Sequence, residues 1–191
     1  MEKNELYPIF LKVSKLQILI VGGGAVGLEK LRFLLKSSPN ANVIVLSINF
    51  LPALIALAKK HQIQLIEAPY HKSFLKERPI VIAATDSNAV NIQVYNDCKQ
   101  RNILVNVADN PPYCDFFMGG IVTKGNIKIA ISTNGKSPIL AKRLRQFFEQ
   151  VLPDDINELS KNINTYRKST LGIFSEKVKA LNQLTKSLLV K

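Results

Sequence analysis

A glycine-rich segment near the start of the chain has the residue types and spacing of a phosphate-binding turn. Gly22, Gly24 and Gly27 form a G-x-G-x-x-G pattern. In such turns the first glycine permits a tight bend, the second lets the backbone approach a pyrophosphate, and the third allows close packing of helix on strand. The start of the following helix offers unpaired N–H groups and the positive end of its dipole to the phosphates. The pattern predicts a dinucleotide site, and the alternative is a turn that only joins a strand to a helix.

The elements predicted around this turn are the ones that such a site requires. An apolar run at residues 16–21 predicts a strand before the glycines, and residues 28–36 predict an amphipathic helix after them. Further strands are expected at 42–46, 63–67, 79–85 and 103–108, with helical segments between them. This alternation indicates a parallel sheet covered on both faces, which is the doubly wound dinucleotide-binding pattern.

The pattern changes after residue 108. Residues 109–115 are rich in Pro, Asn and Asp and predict a loop. Strands expected at 116–123 and 126–133 form a β-hairpin, and a helix then begins at Pro138 with Ser137 as its N-cap. A hairpin with one helix buries little apolar surface by itself, so we expect this region to pair with a second copy in a homodimer.

The predicted fold is therefore α/β and has three parts. Residues 1–112 form a Rossmann-like NAD-binding domain with a doubly wound parallel sheet. Residues 113–151 form a hairpin-plus-helix region for dimerisation and substrate binding, and residues 152–191 form a helical C-terminal region.

Composition narrows the class of protein. The chain has 191 residues, 47% of them hydrophobic, and no apolar run approaches the roughly 20 residues that span a bilayer. The polar N-terminus does not resemble a secretory signal, so we expect a cytoplasmic protein with no membrane partner. The two cysteines, Cys98 and Cys114, are far apart in sequence, which predicts packing roles and no metal site.

The net charge of +12 comes from 26 Lys and Arg against 14 Asp and Glu. A basic surface attracts polyanions such as nucleic acid, acidic lipid or a polycarboxylate substrate. The sequence shows no aromatic–basic interleaving and no recognition-helix or zinc-finger signature, so we expect no nucleic-acid partner. A nucleic-acid-binding protein would explain the charge but would leave the glycine turn unexplained.

Five segments, in order along the chain, carry a more specific resemblance. They are residues 6–11, 22–26, 83–86, 106–109 and 132–138. Together they resemble the precorrin-2 dehydrogenase / sirohydrochlorin ferrochelatase family, which forms the N-terminal part of bifunctional siroheme synthases. The resemblance extends from about residue 6 to residue 151, and it is to the stand-alone form of the family.

The resemblance implies oxidation of the tetrapyrrole precorrin-2 to sirohydrochlorin with NAD as cofactor, and Fe²⁺ insertion as an activity of some members. It places the cofactor against ten residues: Gly22, Gly23, Gly24, Ala25, Val26, Ser47, Ile48, Asn49, Thr85 and Asp86. The end of the second strand lacks the Asp or Glu that often holds the ribose 2′-OH, and it also lacks an Arg that would favour a 2′-phosphate. We therefore favour NAD over NADP.

The same resemblance implies that Asp109 is the catalytic residue, because it matches the aspartate of the family's Asn-Val-x-Asp segment. A carboxylate there could remove the protons that dehydrogenation and metal insertion both release. The alternative is that Asp109 caps the loop and orients substrate without exchanging protons. Residues expected to bind the tetrapyrrole are Asn106, Met118, Ser132, Thr133, Asn134, Lys136 and Ser137.

A second functional class shares the architecture of the first hundred residues. An NAD(H)-sensing regulatory Rossmann module without catalysis would use the same glycine turn. Such modules resemble the fingerprint with an acid at the end of the second strand, which is absent here, and they lack the loop at residues 132–138.

Overall fold

Short runs of valine, isoleucine and leucine form the central sheet of the computed structural model, which describes residues 4–169 and 174–186. Its strands are β1 (Ile18–Val21), β2 (Val43–Ser47), β3 (Gln64–Glu67), β4 (Ile80–Ala83) and β5 (Leu104–Val107). All neighbouring pairs are parallel, in the order β3-β2-β1-β4-β5. Every residue of β1 and β4 is buried, because helices cover both faces of the sheet.

Three helices cover the sheet: α1 (Ala25–Ser37), α2 (Pro52–His61) and α3 (Asn88–Lys99). Successive strand residues point to opposite faces, so β1 contributes to two cores. Ile18 and Ile20 pack with α1 and α2, whereas Leu19 and Val21 pack with α3. Short 3₁₀ turns at Lys72–Leu75 and Pro111–Tyr113 complete this part of the chain. The predicted α/β fold class is confirmed.

The chain divides into two compact units. The first runs to Gly119 and also includes Ser132–Pro138, and the second comprises Gly120–Ile131 and the chain from Ile139 onward. The second unit contains β6 (Gly120–Lys124), β7 (Ile127–Ile131), α5 (Ile156–Ser169), α6 (Phe174–Thr185) and nearly all of α4 (Pro138–Val151). Lys124 pairs with Ile127 in an antiparallel hairpin, which leaves a two-residue turn that begins at Gly125 with φ +56°.

Two boundaries differ by three or more residues from those expected. Helix α1 begins at Ala25 and includes Gly27, whereas the amphipathic pattern predicted a start at residue 28. Strand β6 begins at Gly120 rather than at residue 116, because Phe116 and Met118 pack against the core of the first unit. Within the described residues, none of the helices is long and apolar enough to cross a membrane.

Candidate functional site

A cleft of about 700 Å³ lies at the carboxyl ends of β1, β2 and β4. Strands β2 and β4 lie on either side of β1, so the chain order reverses here, which is where open α/β sheets bind their ligands. The volume lies within the range of roughly 300–1,000 Å³ that is usual for ligand pockets. The cleft is lined by all ten residues predicted to bind the cofactor: Gly22, Gly23, Gly24, Ala25, Val26, Ser47, Ile48, Asn49, Thr85 and Asp86.

The three glycines of the turn differ in what surrounds them. A Cβ atom on Gly22, whose φ is +129°, would lie 2.3 Å from the Ala84 carbonyl oxygen. A Cβ atom on Gly27 would lie 2.0 Å from the Gly22 carbonyl oxygen. At Gly24, by contrast, no heavy atom of the described residues lies within 4 Å of the Cβ position. Gly22 and Gly27 are thus required by packing, whereas Gly24 leaves open space beside the backbone, as the second glycine of a dinucleotide-binding turn does.

The start of α1 completes a site for an anion. Gly24 is the N-cap of α1 and has no side chain to occupy the first amides of the helix. Within α1, which is described throughout, the first turn holds no acidic side chain. Ala25 and Val26, the first residues of α1, line the cleft at the positive end of the helix dipole, and no carboxylate of the first turn competes for their amides.

The wall beyond β2 is polar but uncharged. Ser47 ends this strand, and its hydroxyl accepts a hydrogen bond of 3.5 Å from the backbone N–H of Asn49. None of the described residues that line the cleft is Lys or Arg, and Asp86 is the one carboxylate among them. This wall suits ribose hydroxyls better than it suits a 2′-phosphate.

Sequence reasoning missed Tyr70, which also lines the cleft. Its hydroxyl donates a hydrogen bond of 3.0 Å to Asp97 Oδ2. Burial, followed by this hydrogen bond and the nearby charge of Asp97, raises the pKa of Tyr70 above its ordinary value, so the phenol stays neutral. The pairing of Tyr70 with Asp97, 27 residues apart, leaves no local sequence signal.

Sequence reasoning also missed Asn91, which fixes Thr85 at the edge of the cleft. The buried Asn91 amide donates to the Thr85 carbonyl at 3.0 Å, and Asn91 Oδ1 accepts from Thr85 Oγ1 at 2.7 Å and from Thr85 N at 3.1 Å. Thr85 Oγ1 in turn accepts from the backbone N–H of Ser87. Asn91 on α3 thus forms hydrogen bonds with the backbone N–H and carbonyl groups of Thr85, and it thereby fixes the position of the backbone beside the cleft.

Asp109 lies at the same edge of the sheet as the cleft, beyond β5. The strand register aligns Val21 of β1 with Ala83 of β4 and Val107 of β5. The backbone N–H of Ala108 donates to the Ala83 carbonyl at 2.9 Å, so this pairing continues past the strand end. Asp109 follows directly, is exposed, and has the left-handed φ of +58°.

Two of the residues expected to bind the tetrapyrrole, Asn106 and Met118, are buried or partly buried. Asn106 is buried, with 7% relative exposure, and its amide bonds to protein atoms. Met118 is partly buried against the core of the first unit. Their contact with substrate stays a prediction.

The loop at residues 132–137 forms a closed turn before α4. Thr133 Oγ1 accepts from the backbone N–H of Ser137 at 3.2 Å and donates to its carbonyl at 3.0 Å. Ser132 Oγ accepts from the backbone N–H of Asn134 at 3.1 Å, and Lys136 N donates to the Thr133 carbonyl. The side chains of Ser132 and Thr133 therefore shape the loop, and Lys136 is exposed.

The two cysteine thiols and the His71 ring lie in surroundings that indicate structural roles. Cys98 is buried, and this burial raises the pKa of its thiol to about 12. Burial also raises the pKa of the half-buried Cys114 thiol. His71 Nδ1 accepts from the backbone N–H of Ser73 at 3.3 Å at the start of a 3₁₀ turn. Among residues 4–169 and 174–186, no group of three or more His, Cys, Asp or Glu side chains could hold a metal ion.

The fold and the cleft define a dinucleotide-binding α/β protein with a hairpin and helices after its parallel sheet. A family model described as NAD(P)-binding matches residues 9–120, and a model described as sirohaem biosynthesis protein central matches residues 124–150. The chain belongs to this NAD(P)-binding family, and the resemblance to the precorrin-2 dehydrogenase / sirohydrochlorin ferrochelatase family is confirmed. The predicted nicotinamide dinucleotide cofactor is confirmed with it.

Individual relatives agree with this assignment. The siroheme synthase of Pseudoalteromonas translucida (strain TAC 125) is 39% identical over 160 residues, which are 84% of this chain and 33% of that protein. The siroheme synthase of Psychrobacter sp. (strain PRwf-1) is 40% identical over 155 residues, 81% of this chain and 31% of that protein. The chain thus spans about a third of the length of these curated relatives.

A solved structure shares the fold. The structure of SirC, precorrin-2 dehydrogenase, aligns with a TM-score of 0.74 at 21% sequence identity, over 94% of this chain and 89% of that chain. At this level of identity the likeness concerns the fold alone.

Proposed function

We propose that this protein oxidises precorrin-2 to sirohydrochlorin in an NAD-dependent reaction of siroheme biosynthesis. The observation that carries the proposal is the cleft at Gly24, where space for a pyrophosphate lies at a helix start in a chain whose relatives are siroheme synthases. The reaction removes one hydride and one proton from the macrocycle. Bound NAD⁺ supplies the hydride acceptor.

Residues of this chain bind the cofactor and discriminate between NAD and NADP. The first amides of α1 bind the pyrophosphate, and Ser47 and Asn49 face the adenosine ribose. Because the described cleft lining contains no Lys or Arg, a 2′-phosphate would find no positive partner there. We therefore propose NAD rather than NADP.

Asp109 is the proposed acceptor of the proton. A dinucleotide that lies across the switch point places its adenosine over β2, so its nicotinamide end lies towards β4 and β5. Asp109 follows β5 at that side of the edge. Its carboxylate is exposed and is therefore accessible to a tetrapyrrole laid over the nicotinamide.

Anaerobic turnover tests the proposal. Protein, precorrin-2 and NAD⁺ are mixed, and absorbance follows sirohydrochlorin and NADH. We expect turnover with NAD⁺ that exceeds turnover with NADP⁺, and we expect Asp109→Asn to bind NAD⁺ normally but lose most of the turnover. Asp155→Asn, the same change at another exposed aspartate, is the control and should be unaffected. Absence of turnover with both cofactors would favour the sensing module instead.

Insertion of Fe²⁺ into sirohydrochlorin is a second proposed activity. Fe²⁺ is then a substrate, and Asp109 would accept the pyrrole N–H protons that the metal displaces. Adding Fe²⁺ to the anaerobic product mixture tests this, since the protein should accelerate siroheme formation over a protein-free control. Equal rates with and without protein would remove this activity and leave the dehydrogenase intact.

We also propose that the protein is a homodimer in the cytoplasm. Helix α4 exposes large apolar side chains, with Ile139 at 75%, Phe147 at 54% and Val151 at 57% relative exposure. Such surface in a small hairpin-and-helix unit is typical of an interface. Light scattering should show a dimer that Phe147→Asp dissociates, while Gln93→Asp, at an exposed position of α3 in the first unit, does not. A monomeric wild-type protein would refute the dimer.

A further inference from the structure

Side chains close the base of the loop that carries Asp109. Asn106 on β5 reaches across to the returning chain, where its Nδ2 donates to the Phe116 carbonyl at 2.8 Å and to Cys114 Sγ at 3.3 Å. Asn106 is buried, and its side-chain amide forms its hydrogen bonds with protein atoms.

Two further residues of the returning chain bond to β5. The Cys114 thiol lies 3.2 Å from the Val107 carbonyl, to which it donates. Asp115 pairs with Val105 twice, since its N–H donates to the Val105 carbonyl at 2.8 Å and its Oδ2 accepts from Val105 N at 3.1 Å. Lys99 Nζ holds the other carboxylate oxygen of Asp115 at 2.7 Å. We call Asn106, Cys114 and Asp115 the loop clamp.

The clamp joins the returning chain to β5 at the base of the loop at residues 108–113. Asp109 has a left-handed backbone conformation, which is uncommon for non-glycine residues although aspartate tolerates it better than most. The loop begins in register with β4 through Ala108 and ends at the clamp. Hydrogen bonds thereby hold both ends of the segment, and they constrain where the backbone of Asp109 lies.

We propose that the loop clamp, with Asn106 at its centre, positions the Asp109 carboxylate for proton transfer. The proposal rests on the proposed function, and Asn106 acts through Asp109 rather than on the tetrapyrrole. Direct contact of Asn106 with the tetrapyrrole, which the sequence predicted, is the alternative that the double-mutant cycle tests.

Asn106→Asp is the sharpest variant, because it keeps the size of the side chain but replaces the amide donor with a carboxylate. Asn102→Asp is its matched control: it makes the same change at an exposed residue just before the opposite end of β5. We expect Asn106→Asp to lower kcat roughly 10- to 100-fold, as small misplacements of a catalytic group do. The KM for NAD⁺ should stay within twofold, because the clamp does not line the cleft. Asn102→Asp should match wild type.

A double-mutant cycle separates positioning from direct substrate contact. In the Asp109→Asn background, Asn106→Asp should change kcat by less than twofold, because the group that it positions is already gone. If the two losses multiply instead, Asn106 acts independently of Asp109 and the inference is overturned.

Amide hydrogen exchange tests the clamp without turnover. In Asn106→Asp, the hydrogen-bonded amides of Ala108, Asn110 and Tyr113 should exchange at least fivefold faster, while those of α1 keep their wild-type rates. Cys114→Ala, a milder change at a half-buried position, should show the same pattern and serves if Asn106→Asp does not fold. Unchanged exchange in these variants would overturn the clamp, whether or not the protein turns over precorrin-2. Lack of turnover by wild type would refute the proposed function. Full kcat in Asp109→Asn would refute the proposed role of Asp109. Either result would also remove the positioning claim.

Discussion

Replacing Gly24 by aspartate should weaken cofactor binding about 100-fold while leaving the fold intact. The Cβ position of Gly24 is open, its φ is −82° and its ψ is −164°, so an aspartate fits there without strain. Gly24 is also the N-cap of α1, where aspartate stabilises a helix by a few tenths of a kcal/mol relative to glycine. Thermal unfolding of Gly24→Asp should therefore occur at or slightly above the wild-type temperature.

The negative charge of the introduced aspartate determines the expected loss of affinity for NAD⁺. A carboxylate about 6 Å from one phosphate charge, at an effective dielectric constant of about 20, opposes binding by roughly 2.8 kcal/mol. This corresponds to about a 100-fold increase in Kd. Gly24→Asn is the control, since it has the same size without the charge, and its Kd should lie well below that of Gly24→Asp.

Titration calorimetry with NAD⁺ at low and high salt is the appropriate assay. The difference between the Asp and Asn variants should shrink as salt screens the carboxylate. A folded Gly24→Asp protein that binds NAD⁺ within threefold of wild type would refute the placement of the pyrophosphate at Gly24.

Further predictions concern the turn, the core and the hairpin. Gly22→Ala should lower the unfolding free energy by about 2–4 kcal/mol, because its Cβ would meet Ala84 at a left-handed φ, and thermal melts would show this. Cys98 should resist alkylation in the native protein at pH 8, as mass spectrometry of labelled peptides would reveal, because its thiol is buried and its pKa is raised. The Lys124 ammonium lowers the pKa of Asp154, so their interaction should stabilise the hairpin above the unfolded aspartate pKa and weaken as pH falls through the lowered one. In an NMR titration, Lys124→Gln should raise the pKa of Asp154.

Much of the fold could be predicted because periodicity and glycine spacing are local signals. The buried strands appear as apolar runs, and the glycine turn lies between β1 and α1, as expected. The start of α1 was missed because Gly27 weakens a helical pattern, although the helix requires glycine there to pass the Gly22 carbonyl. The start of β6 was missed because Phe116 and Met118 look like strand residues but belong to another core.

The candidate site could be predicted only in part. The ten cleft residues were predicted from the family resemblance, and they lie at the glycine turn and at the ends of β2 and β4. The Asn91–Thr85 network and the pairing of Tyr70 with Asp97 depend on which side chains meet across the fold. The same limit applies to Asn106, whose burial against Phe116 and Cys114 depends on the return of the loop to β5.

The stoichiometry of anaerobic turnover tests the central claim most directly. With NAD⁺ as the sole oxidant, each sirohydrochlorin formed from precorrin-2 should be accompanied by one NADH, and Gly24→Asp should lose both products together. Sirohydrochlorin that forms without NADH, or undiminished turnover by Gly24→Asp, would contradict an NAD-dependent dehydrogenase that uses this cleft.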